Sequence, residues 1–226
     1  MRSLRRIQRY VSAWRNLGEF RRTTCDRYSL EEIVARVFSL ADEFFRPIQV
    51  EEELVEALRE VQALQPRFIV EIGTAGGGTF LLWSRVAHPE ATIVTVDLPG
   101  GPFGGGYSLL RVPLFRRIIL PGQKLHILRG DSHETSTLER VKACLGGNAA
   151  DFLFIDGDHS DAGVRADYRL YGPLVRPGGL IAFHDIGVRH MPGCDVYQLW
   201  AEIRGSSRSR EILVSQYSYG IGLLYC

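Results

Sequence analysis

From residue 67 onward, short apolar runs rich in Val, Ile and Phe alternate with longer stretches of helical periodicity, the pattern of β–α–β units that build a parallel sheet. The runs are Phe68–Ile72, Thr92–Asp97, Leu125–Leu128, Phe152–Asp156 and Leu180–Asp185, with a helix at Thr135–Cys144 among the connections. Two further runs, Glu211–Ser215 and Gly220–Tyr225, follow a helical stretch at Asp195–Ile203. Seven strands, the last two close in sequence, predict an α/β fold: a mostly parallel sheet with helices on both faces, closed by an antiparallel hairpin. Upstream the period is helical throughout. Helices are predicted at about 29–45 and 50–63, and Leu4, Ile7, Val11 and Trp14 place an apolar stripe on a helix before them. The chain therefore divides into an N-terminal helical extension, 1–64, and an α/β domain, 65–226.

Charge changes the picture at one end only. Seven arginines, Arg2, Arg5, Arg6, Arg9, Arg15, Arg21 and Arg22, face a single Glu19 there, a local +6. Such a helix docks on its own domain or on a second subunit, or lies on an anionic membrane surface. Over the whole chain 27 basic residues meet 26 acidic ones, so no global field favours nucleic acid as a partner. No apolar run is long enough for a transmembrane segment, and the arginine-studded start does not read as a signal peptide, which makes the expected location cytoplasmic. Cys25, Cys144, Cys194 and Cys226 lie far apart without a C-x-x-C and are expected as reduced thiols. The stretch Leu98–Gln123 contains Pro99-Gly-Gly-Pro-Phe-Gly-Gly-Gly106, too long and glycine-rich for a routine connection; it reads as a lid over a site or as a flexible loop.

The candidate chemistry sits at the predicted C-terminal ends of the strands, where open α/β sheets collect ligands. Phe68-Ile-Val-Glu-Ile-Gly-Thr-Ala-Gly-Gly-Gly-Thr79 passes from strand to helix through a glycine turn. Gly73 and Gly77 permit close approach of a ligand, and the helix start with the Thr79 hydroxyl favours an anion or carboxylate. Ala75 occupies a position where a dinucleotide-binding turn has glycine. Glu71 and Asp97 end the first two strands, Asp97 as a ribose-binding candidate. Asp131 and Ser132 follow the third strand, facing an adenine edge or capping the next helix. Asp156, Asp158 and His159 follow the fourth, and His184 and Asp185 end the fifth. Carboxylates converging from neighbouring strand tips call for a cation, which points to a divalent site at Asp156 and Asp185. Regular alternation would turn His184 away from Asp185, so His184 is either a ligand or a core residue.

Taken together, these residues resemble the class I S-adenosylmethionine-dependent methyltransferases over about residues 67–225. Phe154-Ile-Asp-Gly-Asp-His-Ser160, Arg176-Pro-Gly-Gly-Leu-Ile-Ala-Phe-His-Asp185 and Gly220-Ile-Gly222 are similar to the small-molecule O-methyltransferase branch with cephalosporin-hydroxylase-like and macrolide-sugar enzymes. The resemblance implies a Rossmann-like sheet and a metal-assisted transfer of methyl from S-adenosylmethionine to a hydroxyl of a sugar or natural product. It assigns the turn Glu71–Thr79 to the methionine part, Asp97 to the ribose, and Asp131 with Ser132 to the adenine. Asp156, His184 and Asp185 match the metal ligands of catechol O-methyltransferase-like enzymes, and His159 stands where those enzymes have a catalytic lysine. Aspartate is expected in place of His184; an imidazole there shifts preference from Mg²⁺ toward a transition metal such as Mn²⁺, or does not ligate. His159 is the expected general base beside Asp156, and the N-terminal helices are the expected homo-oligomer contact. Two rival readings remain: an iron oxygenase using His159, His184 and Asp185, and a non-catalytic binding protein.

Overall fold

A computed structural model describes residues 2–40, 45–101, 106–215 and 218–226, and for 2–6 the backbone only. Three helices come first, α1 (Arg2–Arg22), α2 (Leu30–Leu40) and α3 (Glu51–Leu64). The alternating part runs β1 (Phe68–Ile72), α4 (Gly78–Val86), β2 (Thr92–Asp97), α5 (Val112–Ile118), β3 (Lys124–Arg129), α6 (Thr135–Leu145), β4 (Ala150–Ile155), α7 (Asp161–Tyr171), β5 (Val175–His184), α8 (Val196–Ile203), β6 (Ser209–Ile212) and β7 (Ile221–Tyr225). One seven-stranded sheet has the order β3-β2-β1-β4-β5-β7-β6. Strands β1 to β5 pair in parallel, and β7 is antiparallel to both β5 and β6, inserted between them. The fold class expected from the alternation is the one observed.

Two-residue periodicity sorts the core onto two faces. Ile69, Ile93, Phe152, Phe154, Ala182 and Leu223 point to the side of α1–α5, whereas Val70, Val94, Leu153, Ile181 and Leu224 point to α6–α8. Helix α4 is buried along its full length, because α2 and α3 cover the side that the sheet does not. Phe20, Ile33, Val37, Leu54 and Leu58 of the N-terminal helices belong to the same core as β1 and β4.

Three local expectations change. The docked face of α1 carries Ala13 and Phe20, with Tyr10 and Leu17 half-buried, whereas Ile7 and Val11 of the predicted stripe are 58% and 48% exposed. Trp14 of the stripe is half-buried against the core, and the docked face lies about a third of a turn round from the predicted one; the Leu4 side chain lies outside the described residues. The second half of the expected lid is core, since Leu114, Phe115 and Ile118 of α5 are buried and Phe115 stacks on Phe45, Phe80 and Tyr107. Residues 102–105 lie outside the described residues. Strand β5 starts at Val175, ahead of Pro177-Gly178-Gly179, with a register irregularity against β4 between Ala150 and Phe152.

Register aligns the strand tips. Ile72 lies opposite Val96 on one side and Ile155 on the other, and Ile155 opposite Phe183. Gly73, Asp97, Asp131, Asp156 and Asp185, each just at or beyond a tip, are thereby brought to one edge. The tips of β1 and β4 approach so closely that a Cβ on Gly73, whose φ is +98°, would lie 1.9 Å from the Asp156 carbonyl oxygen.

Candidate active site

At that edge the structure has a cavity of about 310 Å³, within the range of small-molecule sites. Gly73, Asp97, Asp131, Ser132, Asp156, His159, His184 and Asp185 all line it. On the β1–β3 side, the Asp97 carboxylate accepts a hydrogen bond from the Ala75 backbone N–H at 2.5 Å, which ties the tip of β2 to the glycine turn. Burial pushes this carboxyl above its ordinary value, against the pull of the Ala75, Gly106 and Thr74 N–H groups and of Arg129. Ala75 takes φ +40° to present that N–H. Asp131 accepts from the His133 N–H, and neither it nor Ser132 caps α6, whose N-cap is Glu134.

Three expected cofactor residues do not reach the cavity wall. Glu71 is fully buried with the face that packs on α4; it accepts from the Trp83 indole at 3.0 Å and from the Thr95 hydroxyl at 3.3 Å. Burial pushes its carboxyl up to about 8, with the Thr79 hydroxyl opposing, so it stands protonated at neutral pH. Thr79 thus faces Glu71. A Cβ on Gly77 would meet Phe80 and Phe115, and one on Gly78 would meet the main chain of Phe45 and Pro47. These two glycines permit packing inside the protein, and the cavity stops at Gly73 and Ala75.

On the β4–β5 side, alternation fails where it matters. Asp185 adopts φ +63°, so the chain reverses its facing after β5 and both His184 and Asp185 turn to Asp156. His184 Nδ1 lies 3.1 Å from Asp156 Oδ1 and 3.3 Å from Asp185 Oδ1, while His184 Nε2 is buried with no partner among the described residues. His159 Nδ1 forms a short hydrogen bond with Asp185 Oδ2. Burial works against charge on His159, yet its bonds to Asp185 and Cys194 and the nearby carboxylates prevail and raise its pKa to about 10. His184 rises for the same reason, its burial outweighed by Asp156 and Asp185, and Asp185 is held well below the usual carboxylate range despite its own burial. Ser160, not His159, caps α7.

One donor atom each from Asp156, His184 and Asp185 fall within 4.8 Å of one another, close enough to share one ion. Two carboxylates and the His184 imidazole, one donor atom each, fit a divalent cation, and the nitrogen favours a borderline one over Mg²⁺. The three residues of the iron-oxygenase reading, His159, His184 and Asp185, are not grouped in this way among the described residues. Sequence reasoning missed Gln49, whose Nε2 donates to Asp156 Oδ2 at 2.6 Å from the loop before α3, and His133, Cys194 and Tyr219, which also line the cavity. Gln49, Cys194 and Tyr219 belong to no strand-tip pattern, whereas His133 directly follows Asp131 and Ser132 beyond β3 and was legible by both place and residue type.

Residues 70–186 match the family described as a methyltransferase domain. The chain belongs to this methyltransferase family. An uncharacterized protein, y4gI, of Sinorhizobium fredii is 30% identical over 169 residues, 73% of this chain and 18% of its own length. Mycinamicin VI 2''-O-methyltransferase of Micromonospora griseorubida is 31% identical over 70 residues, 31% of this chain and 17% of its own length. The chain thus matches less than a fifth of the length of these curated relatives. Among solved structures, the MycE methyltransferase of the mycinamycin biosynthetic pathway, in complex with Mg, SAH and mycinamycin VI, superposes with a TM-score of 0.57 at 18% identity, covering 88% of this chain and 54% of that one. That likeness shows the Rossmann-like methyltransferase fold. The methyltransferase match begins inside β1 and ends just beyond β5, so it contains every strand tip of the cavity.

Proposed function

We propose that the protein transfers a methyl group from S-adenosylmethionine to a hydroxyl of a small molecule, a sugar or natural product, with the help of a divalent cation. The observation that carries this reading is the convergence of two different sets of side chains on one cavity. Asp97 and Asp131, beside Gly73 and Ala75, suit a nucleoside and its amino-acid tail; Asp156, His159, His184 and Asp185 suit an ionising hydroxyl. The relatives named above, one an O-methyltransferase and one solved with Mg and SAH, support both halves.

In this reading Asp97 accepts hydrogen bonds from the ribose, Asp131 and Ser132 border the adenine, and the glycine turn at Gly73 leaves room for the methionine backbone. Asp156, His184 and Asp185 would hold the cation, Mg²⁺ or a transition metal such as Mn²⁺, which supplies Lewis acidity that lowers the pKa of a hydroxyl. His159 would take the hydroxyl proton on the ring nitrogen that does not face Asp185, as the neutral imidazole left when a cation on Asp156 and Asp185 cancels the carboxylate charge that otherwise raises its pKa to about 10, and Asp185 fixes the ring's orientation. The acceptor oxygen then forms its bond to the methyl carbon as the carbon–sulfur bond breaks, leaving S-adenosylhomocysteine. The protein's main contribution is to align oxygen, carbon and sulfur. Ile48 and Gln49 carry the 1–64 segment to the cavity, giving it the role of a cap on the acceptor side, and the exposed Ile7 and Val11 on α1 support a homo-oligomer contact.

Calorimetry with S-adenosylhomocysteine tests the donor half: the full chain binds it, and Asp97→Ala loses most of the affinity. For the acceptor half, His159→Ala lowers turnover by about 10²- to 10⁴-fold with S-adenosylhomocysteine affinity kept. Intact turnover in His159→Ala alongside an inactive Asp156→Ala would remove His159 from the role of base.

A further inference from the structure

A second set of donors adjoins the first and shares one residue with it. His159, Asp185 and Cys194 each offer a donor atom, all within 4.8 Å of one another. Asp185 and Cys194 are 5% and 4% exposed, and all three line the cavity, so the set is both desolvated and reachable from outside. The Cys194 thiol is held there by its own loop. Cys194 N–H donates to Met191 O at 3.1 Å, and the next residue, Asp195, donates its N–H to the His159 carbonyl at 2.8 Å, which fastens the loop to the backbone of the histidine it faces. The Cys194 thiol bonds to His159, and methyl transfer needs no thiolate there.

We propose that His159, Asp185 and Cys194 form a second metal site, selective for a thiophilic divalent cation such as Zn²⁺, whose occupation withdraws His159 from the acceptor. A sulfur, a nitrogen and an oxygen donor with one side open to the cavity suit zinc, whose bonds to such donors run about 2.0–2.3 Å; the ion would take the place of the His159–Asp185 hydrogen bond, and those two side chains would part to admit it. Thiolate excludes Mg²⁺ and Ca²⁺, which take oxygen ligands, and so separates this site in chemistry from the neighbouring Asp156–His184–Asp185 set. Binding releases two protons to solvent, one from the Cys194 thiol and one from the His159 imidazolium, and forms the sulfur–metal and nitrogen–metal bonds; no electron moves. The site itself is independent of the proposed reaction, and only the inhibitory consequence rests on that reading.

The test is optical and needs no turnover. Cobalt(II) titrated into the full, reduced chain is expected to give a thiolate-to-metal charge-transfer band in the near ultraviolet, saturating at one ion per chain and bleached by Zn²⁺ but not by excess Mg²⁺. The band is lost in Cys194→Ser and kept in Asp156→Asn, which touches only the other donor set. His159→Gln provides a second variant should Cys194→Ser fail to fold, and weakens cobalt binding by at least the roughly 10- to 100-fold that loss of an outer-shell partner costs. No band in the full chain, a band that survives Cys194→Ser through the exposed Cys25 or Cys226, or displacement by Mg²⁺ each overturns the proposal.

Discussion

Asp167 of α7 has no exposure to solvent, and its nearest basic group is the His133 ring, Nε2 to Oδ1 3.4 Å. That carboxylate is the leading cause of a His133 pKa raised to about 9, ahead of the burial that opposes it. The histidine is charged in the folded protein at pH values where an unfolded one, at about 6.5, is not. Its contribution to stability is therefore complete below about pH 6.5 and is lost as the pH climbs through about 9. The melting temperature should fall across that window, and Asp167→Asn should flatten the fall; equal slopes in both proteins would show that the pair does not contribute. Residues of this kind are poorly legible in a sequence. Asp97 and Asp156 announced themselves because each follows an apolar run, whereas nothing around Asp167 distinguishes it from an exposed helix residue. Glu71 was visible but misplaced, since two-residue alternation sets it on the same face as Ile69, against α4 and away from the cavity. Asp185 defeated the same alternation in the opposite sense, because its positive φ depends on the surrounding fold and is not written in a local pattern.

Between elements, Arg85 does the fastening. Its guanidinium is buried at the end of α4, where Nη2 donates to Phe20 O of α1 at 2.9 Å and to Ile118 O of α5 at 2.6 Å, and Nη1 donates to Ser84 Oγ at 2.6 Å. Burial pushes its pKa down to about 9, which still leaves it charged at neutral pH. The carbonyls it serves belong to helix ends, where four acceptors lack intrahelical partners. Arg85→Ala strands Ile118 O inside the protein and leaves Phe20 O with the Thr23 N–H at 3.2 Å, and urea unfolding should show a loss of about 1–3 kcal/mol. A loss under about 0.5 kcal/mol would mean that water replaces the guanidinium. The elements were legible wherever their periodicity was clean: strands β1, β2 and β4 and helices α3, α6 and α8 fall within a few residues of their predicted ends. Periodicity was interrupted by Pro and Gly at the start of β5, and α5 is only seven residues long and follows a glycine-rich stretch, so both escaped a reading based on period.

At the scale of the molecule, the change of sequence character near residue 64 is not a break in packing. Phe20, Leu54 and Leu58 share a core with Phe80, Phe152 and Phe154, and Gln49 reaches across to Asp156. Cooperative unfolding follows from a core without a seam. Hydrogen exchange should protect α2, α3 and β4 to the same free energy, and a 1–64 segment that opens well before β4 would contradict the shared core. The same packing lays the main chain of Phe45 to Pro47 against Gly78, at the first turn of α4. A pyrophosphate-linked cofactor lands its two negative charges on that helix end, and here the landing place is roofed by the protein's own chain. The remaining wall carries both signs, Asp97, Asp131, Asp156 and Asp185 beside His133, His159 and His184. On the reading proposed above, a nucleoside joined through a pyrophosphate would meet this main chain where its charges need open backbone N–H groups, whereas one joined through a sulfonium would not depend on that helix end.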